Sequence, residues 1–264
     1  MRTVQYELLR PDELIAEKMR FPVVFLPFSP IEWHGQHNPL GVDGLYAQYC
    51  ARRVAERIGG VVLPTLFMGT FGRLTPEQMR DHGFEGTEDI KGMDYPANTI
   101  PSMYYHEDVM MSMLRETIRL MDEQEYKIIC IVNCHGPFTH MHVIDEIVEE
   151  CNHTNRHARV VVGTAAGSAG IQGGHGTLLE TSAMMYITDS VDLSKLPSKA
   201  EAPKLFGRNH GIADDDVYAG KPEPDHSVVM DPRDATVEIG RIAVIDGIEK
   251  VSRLVLDTLA GIGA

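Results

Sequence analysis

Apolar residues fall along this chain in short unbroken runs, each followed by a longer stretch with helical spacing. The runs at 22–28, 61–66, 127–132 and 159–164 have strand length and almost no polar position. That pattern predicts strands buried on both faces. Between and after them, 43–58, 104–124, 138–151, 177–188 and about 234–260 read as helices. Such alternation predicts an α/β fold with a mainly parallel central sheet covered on both sides. A (β/α)8 barrel would need about eight strand–helix units, and fewer are visible. No internal repeat or heptad appears, and residues 1–264 read as one domain.

The pattern fails in two places. Over 67–95, Gly69, Gly72, Gly83, Gly86 and Gly92 are mixed with Arg80, Asp81, Glu85 and Asp94. This exceeds an ordinary connection, so it is expected to be an insertion near the site mouth or a subunit contact. Residues 195–233, rich in Pro, Asp and His, form a second irregular stretch.

Polar residues cluster just past the apolar runs. Val23-Val24-Phe25-Leu26 leads into Glu32-Trp33-His34-Gly35-Gln36-His37-Asn38-Pro39-Leu40-Gly41-Val42-Asp43. In an extended segment Glu32 and His34 project to the same side of Trp33. Asp43 can return to them after the turn at 38–41, opening a helix. Ile128-Ile129-Cys130-Ile131-Val132 leads into Asn133-Cys134-His135-Gly136-Pro137, and the run at 159–164 into Gly173-Gly174-His175-Gly176-Thr177-Leu178-Leu179-Glu180. Open α/β sheets build their sites at the carboxyl ends of strands. Carboxylate-rich sets with a few His suit paired ions such as Zn or Mn. His175 and Glu180 are five apart, which one regular helix does not align. They converge only with His175 on the loop before the helix and Glu180 in its first turns.

The other histidines divide by context. His37 is expected behind the ligands, and His140 and His142, on a helix, to be solvated or packed. His210 and His226 lie in loop-like sequence from which either could reach the pocket.

Composition narrows the class. Length permits a sizeable core. No apolar run reaches the ~18 residues of a membrane span and the N-terminus lacks a signal-like core, so the cytoplasm is expected. Four Cys do not make a disulfide framework, and Cys134 is expected to be a small buried thiol. A formal charge of −14 with no basic block argues against a nucleic-acid surface, although Arg73, Arg80 or Arg208 could form a local basic patch. Among the Met residues, Met110, Met111 and Met113 are expected in the core.

Taken together, Glu-x-His-Gly-x-His-x-Pro-x-x-x-Asp (32–43), Asn-x-His-Gly (133–136) and His-x-x-x-x-Glu-Thr-Ser (175–182) resemble the creatininase (creatinine amidohydrolase) family in order and spacing. The resemblance covers roughly 22–190. Tyr95-Pro96-Ala97-Asn98-Thr99-Ile100 is similar to that family's Phe-Pro-Gly-Thr segment, with Ala-Asn where one Gly is usual. The resemblance implies a three-layer α/β/α sandwich, two divalent metal ions and a homohexamer. It assigns Glu32, His34, Asp43 and His135 as metal ligands, with Asp43 bridging. It matches His175 to a proton-transfer residue and Glu180 to an acidic group at the metal site.

Departures from the family bear on the substrate. Creatininase carries an acidic ligand where Pro137 stands here, so Glu180 is expected to complete the second ion. The only Trp, Trp33, lies inside the ligand motif, leaving no aromatic sandwich for creatinine, and His175-Gly176-Thr177 replaces the more usual His-Ala-Gly. The expected function is therefore a metal-dependent hydrolase of some other small cyclic substrate, of the cyclic amide (amidohydrolase) type, with metal-activated water attacking a carbonyl. Alternatives are hydrolytic C–C opening of a cyclic polyol diketone such as a dehydro-inosose, and a non-catalytic metal-binding scaffold.

Overall fold

The structure, a computed structural model, describes residues 3–81, 84–95, 98–166, 174–201 and 231–262. Four parallel strands form its sheet: β1 (Val23–Pro27), β2 (Val61–Val62), β3 (Ile128–Asn133) and β4 (Arg159–Thr164), in the order β2-β1-β3-β4. The helices are α1 (Pro11–Arg20), α2 (Val42–Ile58), α3 (Pro76–Asp81), α4 (Glu107–Glu123), α5 (Phe138–Thr154), α6 (Leu178–Ile187) and α7 (Val237–Ile262).

Side-chain alternation builds three layers. Val23, Phe25, Ile128, Cys130 and Val132 face one way, into a core shared with α2, α6 and α7. Val24, Leu26, Ile129, Ile131 and Val160 face the other, against α4 and α5. Both faces are covered, which is why the strands carry unbroken apolar runs. In α2 the buried positions Val42, Tyr46, Ala47, Cys50, Ala51, Val54 and Ala55 repeat with helical period.

The first crossover steps from β1 to β2 with α2 on one face. The next two step the opposite way with α4 and α5 on the other face, as a single crossover hand requires. The direction in which the connections step along the sheet therefore reverses between β1 and β3. The loops leaving those strands part there and leave a crevice.

Several expectations need adjustment. The strand expected over 61–66 is confined to Val61–Val62. Pro64 has no N–H to give, yet the chain still follows β1, with Leu63 N–H on Phe25 O at 2.9 Å and Leu66 N–H on Pro27 O at 3.0 Å. Helix α1 lies outside the helices that the apolar spacing predicts, although Pro11 at its start and the Glu13 carboxylate on Arg10 N–H (2.9 Å) mark it. Within the irregular 67–95 stretch, Thr75 and Gln78 cap α3 reciprocally. That stretch carries its own small core, in which Leu74, Met79, Ile90, Met93 and Tyr95 pack around Trp33. Of the three Met expected in the core, Met110 is buried, Met111 is half-buried and Met113 is 42% exposed, because 113 falls on the outer side of α4. No described helix is long and apolar enough to cross a membrane.

Candidate metal centre

The loops at the reversal point carry the polar cluster. Glu32 and His34 stand on the loop after β1, Asp43 in the first turn of α2, and His135 two residues past β3. His175 lies on the loop before α6 and Glu180 in its first turn, the arrangement their spacing requires. All four of Glu32, His34, Asp43 and His135 are nearly inaccessible, at 3% or less.

Donor atoms fall into groups compact enough for an ion. Glu32, Asp43 and His135 form one, and His34, Asp43 and Glu180 another. Asp43 belongs to both: its Oδ2 lies 2.9 Å from His135 Nδ1, and its Oδ1 lies 3.4 Å from His34 Nε2. Glu180 Oε2 is 3.7 Å from the same nitrogen, and Glu32 Oε2 is 3.1 Å from His135 Nδ1. A third group combines Glu32, His34 and His175.

Each imidazole has one nitrogen on a main-chain carbonyl and the other aimed at the carboxylates. His34 Nδ1–H donates to Glu32 O at 3.0 Å, and His135 Nε2–H to Thr70 O at 3.3 Å. His175 Nε2–H donates to Trp33 O, leaving Nδ1 3.7 Å from Glu32 Oε2. Carbonyl-anchored imidazoles are the usual outer support of metal-bound histidine. Buried His34 Nε2 has no hydrogen-bond partner, an unpaired site of the kind an ion would fill.

Electrostatics agree. Three carboxylates converge with no Lys or Arg among the described residues of the cavity wall. Burying such charge uncompensated is very costly. Without ions the histidines take up the imbalance. Burial opposes charge on His34, but Asp43, Glu180 and Glu32 outweigh it and raise its pKa to about 10. His135 is likewise raised to about 10, burial being outweighed by Glu32 and Asp43. Asp43 is driven far below the carboxylate range, the two histidines overcoming its burial. Burial, aided by Asp43 and Glu32, pushes Glu180 up to about 7 despite His34 and the Gly176 N–H. Burial and the neighbouring His34 lower His175 to about 4, so its ring is neutral. The residues present fit a pair of divalent cations.

Some groups at the site carry no signal in the sequence. The Tyr104 hydroxyl donates to Glu32 Oε1, fixing that carboxylate from behind, and accepts Met93 N–H at 3.2 Å. No motif surrounds Tyr104. Phe71 and Met93, both from the irregular 67–95 stretch, line a cavity of about 370 Å³ together with Pro137. Pro137 precedes α5 and contributes no donor.

His37 lies outside the ligand groups. It bonds Thr181 Oγ1 through Nε2 at 3.0 Å, and burial lowers its pKa to about 4. His140 is fully buried, stacked on Phe28, whereas His142 is exposed near Glu146 at 3.4 Å. Cys134 is half-buried on the cavity wall, more open than expected, and its thiol is pushed up by burial. Arg73 pairs with Asp89 on the surface and Arg80 is not in the cavity wall, so neither provides a basic patch at the site. His210, His226 and Arg208 lie outside the described residues.

Comparison with known proteins gives a consistent picture. The family model for creatininase, creatinine amidohydrolase, matches residues 8–255. A solved structure of Mn creatininase is similar with a TM-score of 0.69 at 20% identity, covering 97% of this chain and 98% of that one. A crystal structure of creatinine amidohydrolase gives 0.68 at 22% identity, with 97% of each chain covered. A putative creatinine amidohydrolase from Bacteroides fragilis NCTC 9343 gives 0.65 at 16%, covering 98% and 97%. Among curated proteins, the creatinine amidohydrolase of Pseudomonas putida is 45% identical over 47 residues, a match spanning only 18% of each protein.

Proposed function

The chain belongs to the creatininase family, and from that membership we propose that it is a metal-dependent hydrolase that opens a small cyclic amide. The observation that carries this reading is Asp43, whose two oxygens serve two separate donor groups, Glu32–His135 and His34–Glu180. Two divalent ions, Zn or Mn, held by Glu32, His34, Asp43, His135 and Glu180 would supply a readily deprotonated water and a Lewis acid for the carbonyl oxygen.

The protein groups then have distinct tasks. Tyr104 and His135 hold Glu32 from its two oxygens. Phe71, Met93 and Pro137 wall the cavity and exclude bulk water from one side of a ring substrate. His175, neutral and protonated on Nε2, presents the Nδ1 lone pair to the centre. It can accept a proton from the attacking water and return it to the leaving nitrogen as the C–N bond breaks. Glu180, whose Oε2 lies 3.7 Å from His34 Nε2 and accepts the Gly176 N–H at 2.6 Å, is oriented towards the centre, so we place it in catalysis as well as at the ion.

Creatinine is not the substrate proposed. Trp33, the only Trp, is packed into the satellite core with Leu74 and Met93 rather than turned to the cavity. The same observation keeps a second reading, hydrolytic C–C opening of a cyclic polyol diketone, because both reactions pass through a tetrahedral oxyanion and a polyol does not need stacking. A screen of ion-loaded protein against lactams, formamides and inosose-type diketones, read by mass spectrometry, tests both. Addition of one water with ring opening is expected. Efficient creatinine turnover would overturn the substrate reading, and inertness of fully loaded protein across the panel would favour a non-catalytic scaffold.

A further inference from the structure

His140 lies outside every donor group, yet two independent hydrogen-bond routes join it to His135. Its Nδ1 accepts the Thr70 main-chain N–H at 3.4 Å. Thr70 uses its other main-chain group, the carbonyl, to receive Nε2–H of His135. On the second route, His140 Nε2 is 3.1 Å from Asn133 Oδ1. Asn133 closes a ring on the backbone of His135: Oδ1 accepts the His135 N–H at 3.1 Å, and Nδ2 donates to its carbonyl at 2.6 Å. Ser29 Oγ reaches the same Oδ1 at 3.0 Å and accepts Cys134 N–H at 3.0 Å.

The donors and acceptors fix the state of His140. Thr70 N–H can only donate, so Nδ1 must carry a lone pair, and the proton sits on Nε2, facing an amide oxygen that accepts. Phe28 stacks on the ring at 5.6 Å between centroids, and His135 meets it edge-on at 4.8 Å. The ring is 0% exposed. This leaves one orientation and one tautomer. A neighbouring residue of α5, Thr139, accepts Gly72 N–H at 3.0 Å, so one helical turn pins the whole 70–72 segment.

We propose that His140 is a positioning residue for His135: through Thr70 it sets which ring nitrogen of His135 keeps its proton, and through Asn133 it sets where that ring stands. Resting on the metal-dependent reading, the claim adds a residue that never touches an ion. Outer partners of metal-binding histidine typically change affinity or activity by about 10- to 100-fold.

The test uses the full chain with Zn and Mn as probes. His140→Phe keeps an aromatic on Phe28 and removes both hydrogen bonds. His140→Gln can restore the N–H donor to Asn133. Ion affinity by competition with a chelating dye is expected to fall about 10- to 100-fold in His140→Phe and to recover most of that loss in His140→Gln. Long-range ¹⁵N–¹H spectra of the Zn-loaded protein are expected to show Nε2–H on His135 in wild type and loss of that slowly exchanging proton in His140→Phe. Affinity within about twofold of wild type with an unchanged His135 spectrum would overturn the proposal, as would equal losses in both variants. If His140→Phe does not fold, the wild-type spectrum decides: a proton on Nδ1 of His140 overturns the proposal and one on Nε2 sustains it. If wild-type protein binds neither ion, the hydrolase reading falls, while the His140 tautomer still decides the positioning claim.

Discussion

His135 Nδ1 lies 2.9 Å from Asp43 Oδ2, although 92 residues of sequence separate the two. Asp43 rides on the first turn of α2 and His135 on the loop after β3, so their contact spans the point where the sheet's connections reverse. One carboxylate placed there can serve both donor groups and lower the repulsion between two cations. Replacing it should therefore cost more than an outer partner would, beyond about 100-fold in ion affinity or activity. Asp43→Ala is expected to lose at least one ion per chain and nearly all turnover. Elemental analysis showing full occupancy in that variant would remove Asp43 from the centre.

His175 presents the same geometry as the proposed ligands, with one nitrogen on a carbonyl and the other near Glu32. Its place as proton carrier therefore predicts a specific split. His175→Ala should keep both ions and lose about 10²- to 10⁴-fold in turnover. Loss of an ion instead would make it a ligand. A purely structural role predicts lower stability with turnover largely retained.

Ion uptake should release protons and strengthen as pH rises. His34, facing Asp43, Glu180 and Glu32, and His135, facing Glu32, Asp43 and the His140 ring, have pKa values near 10 without ions. Both are protonated at neutral pH and must surrender a proton to bind an ion. Calorimetry in buffers of different ionisation enthalpy is expected to find at least about two protons released per chain at pH 7. The sign for stability is the opposite. A folded pKa raised above the unfolded value adds stability that is complete below about 6.5. It is lost as pH climbs through 10, so ion-free protein should melt at progressively lower temperature across that range. A melting temperature that is flat or rises there would show that these histidines are not protonated.

Short apolar runs and helical spacing make the strand cores and five of the helices legible in the sequence alone. Within the site, alternation about Trp33 places Glu32 and His34, and the five-residue gap from His175 to Glu180 dictates loop then helix. What stays hidden depends on contacts that cross between segments. Tyr104 meets Glu32 across 72 residues, whereas the apolar spacing assigns it to the start of a helix that begins only at Glu107. The small core around Trp33 gathers single apolar residues scattered from 74 to 95, too sparse for either period to register. Truncation of the strand at Val62 follows from one residue, Pro64, whose effect depends on where its missing donor would point. The capping pair Thr75 and Gln78 is readable in principle but lies inside a stretch dominated by Gly and charge.

Helix α7 touches α6 at Gly240, and that contact positions the site from outside. A Cβ at Gly240 would lie 1.8 Å from the carbonyl oxygen of Ser182 and 2.9 Å from Ala183 N. Both are backbone atoms and cannot swing aside. Ser182 sits two residues after Glu180, and its hydroxyl accepts Thr236 N–H at 3.1 Å, so the two helices are joined as well as packed. Gly240→Ala must push α6 away from α7, moving the turn that carries Glu180 and disturbing the His37–Thr181 contact at 3.0 Å. Overpacking of this kind costs about 1–3 kcal/mol. It opposes the stabilisation of up to about 1 kcal/mol that Gly→Ala gives in an unobstructed helix. Gly261→Ala is the matched control, because nothing lies within 4 Å of its added methyl. Denaturant unfolding is expected to show Gly240→Ala clearly destabilised, with weaker ion binding by the group that includes Glu180, and Gly261→Ala neutral or slightly stabilised. Equal behaviour of the two variants would mean that α6 is not held in place by this contact.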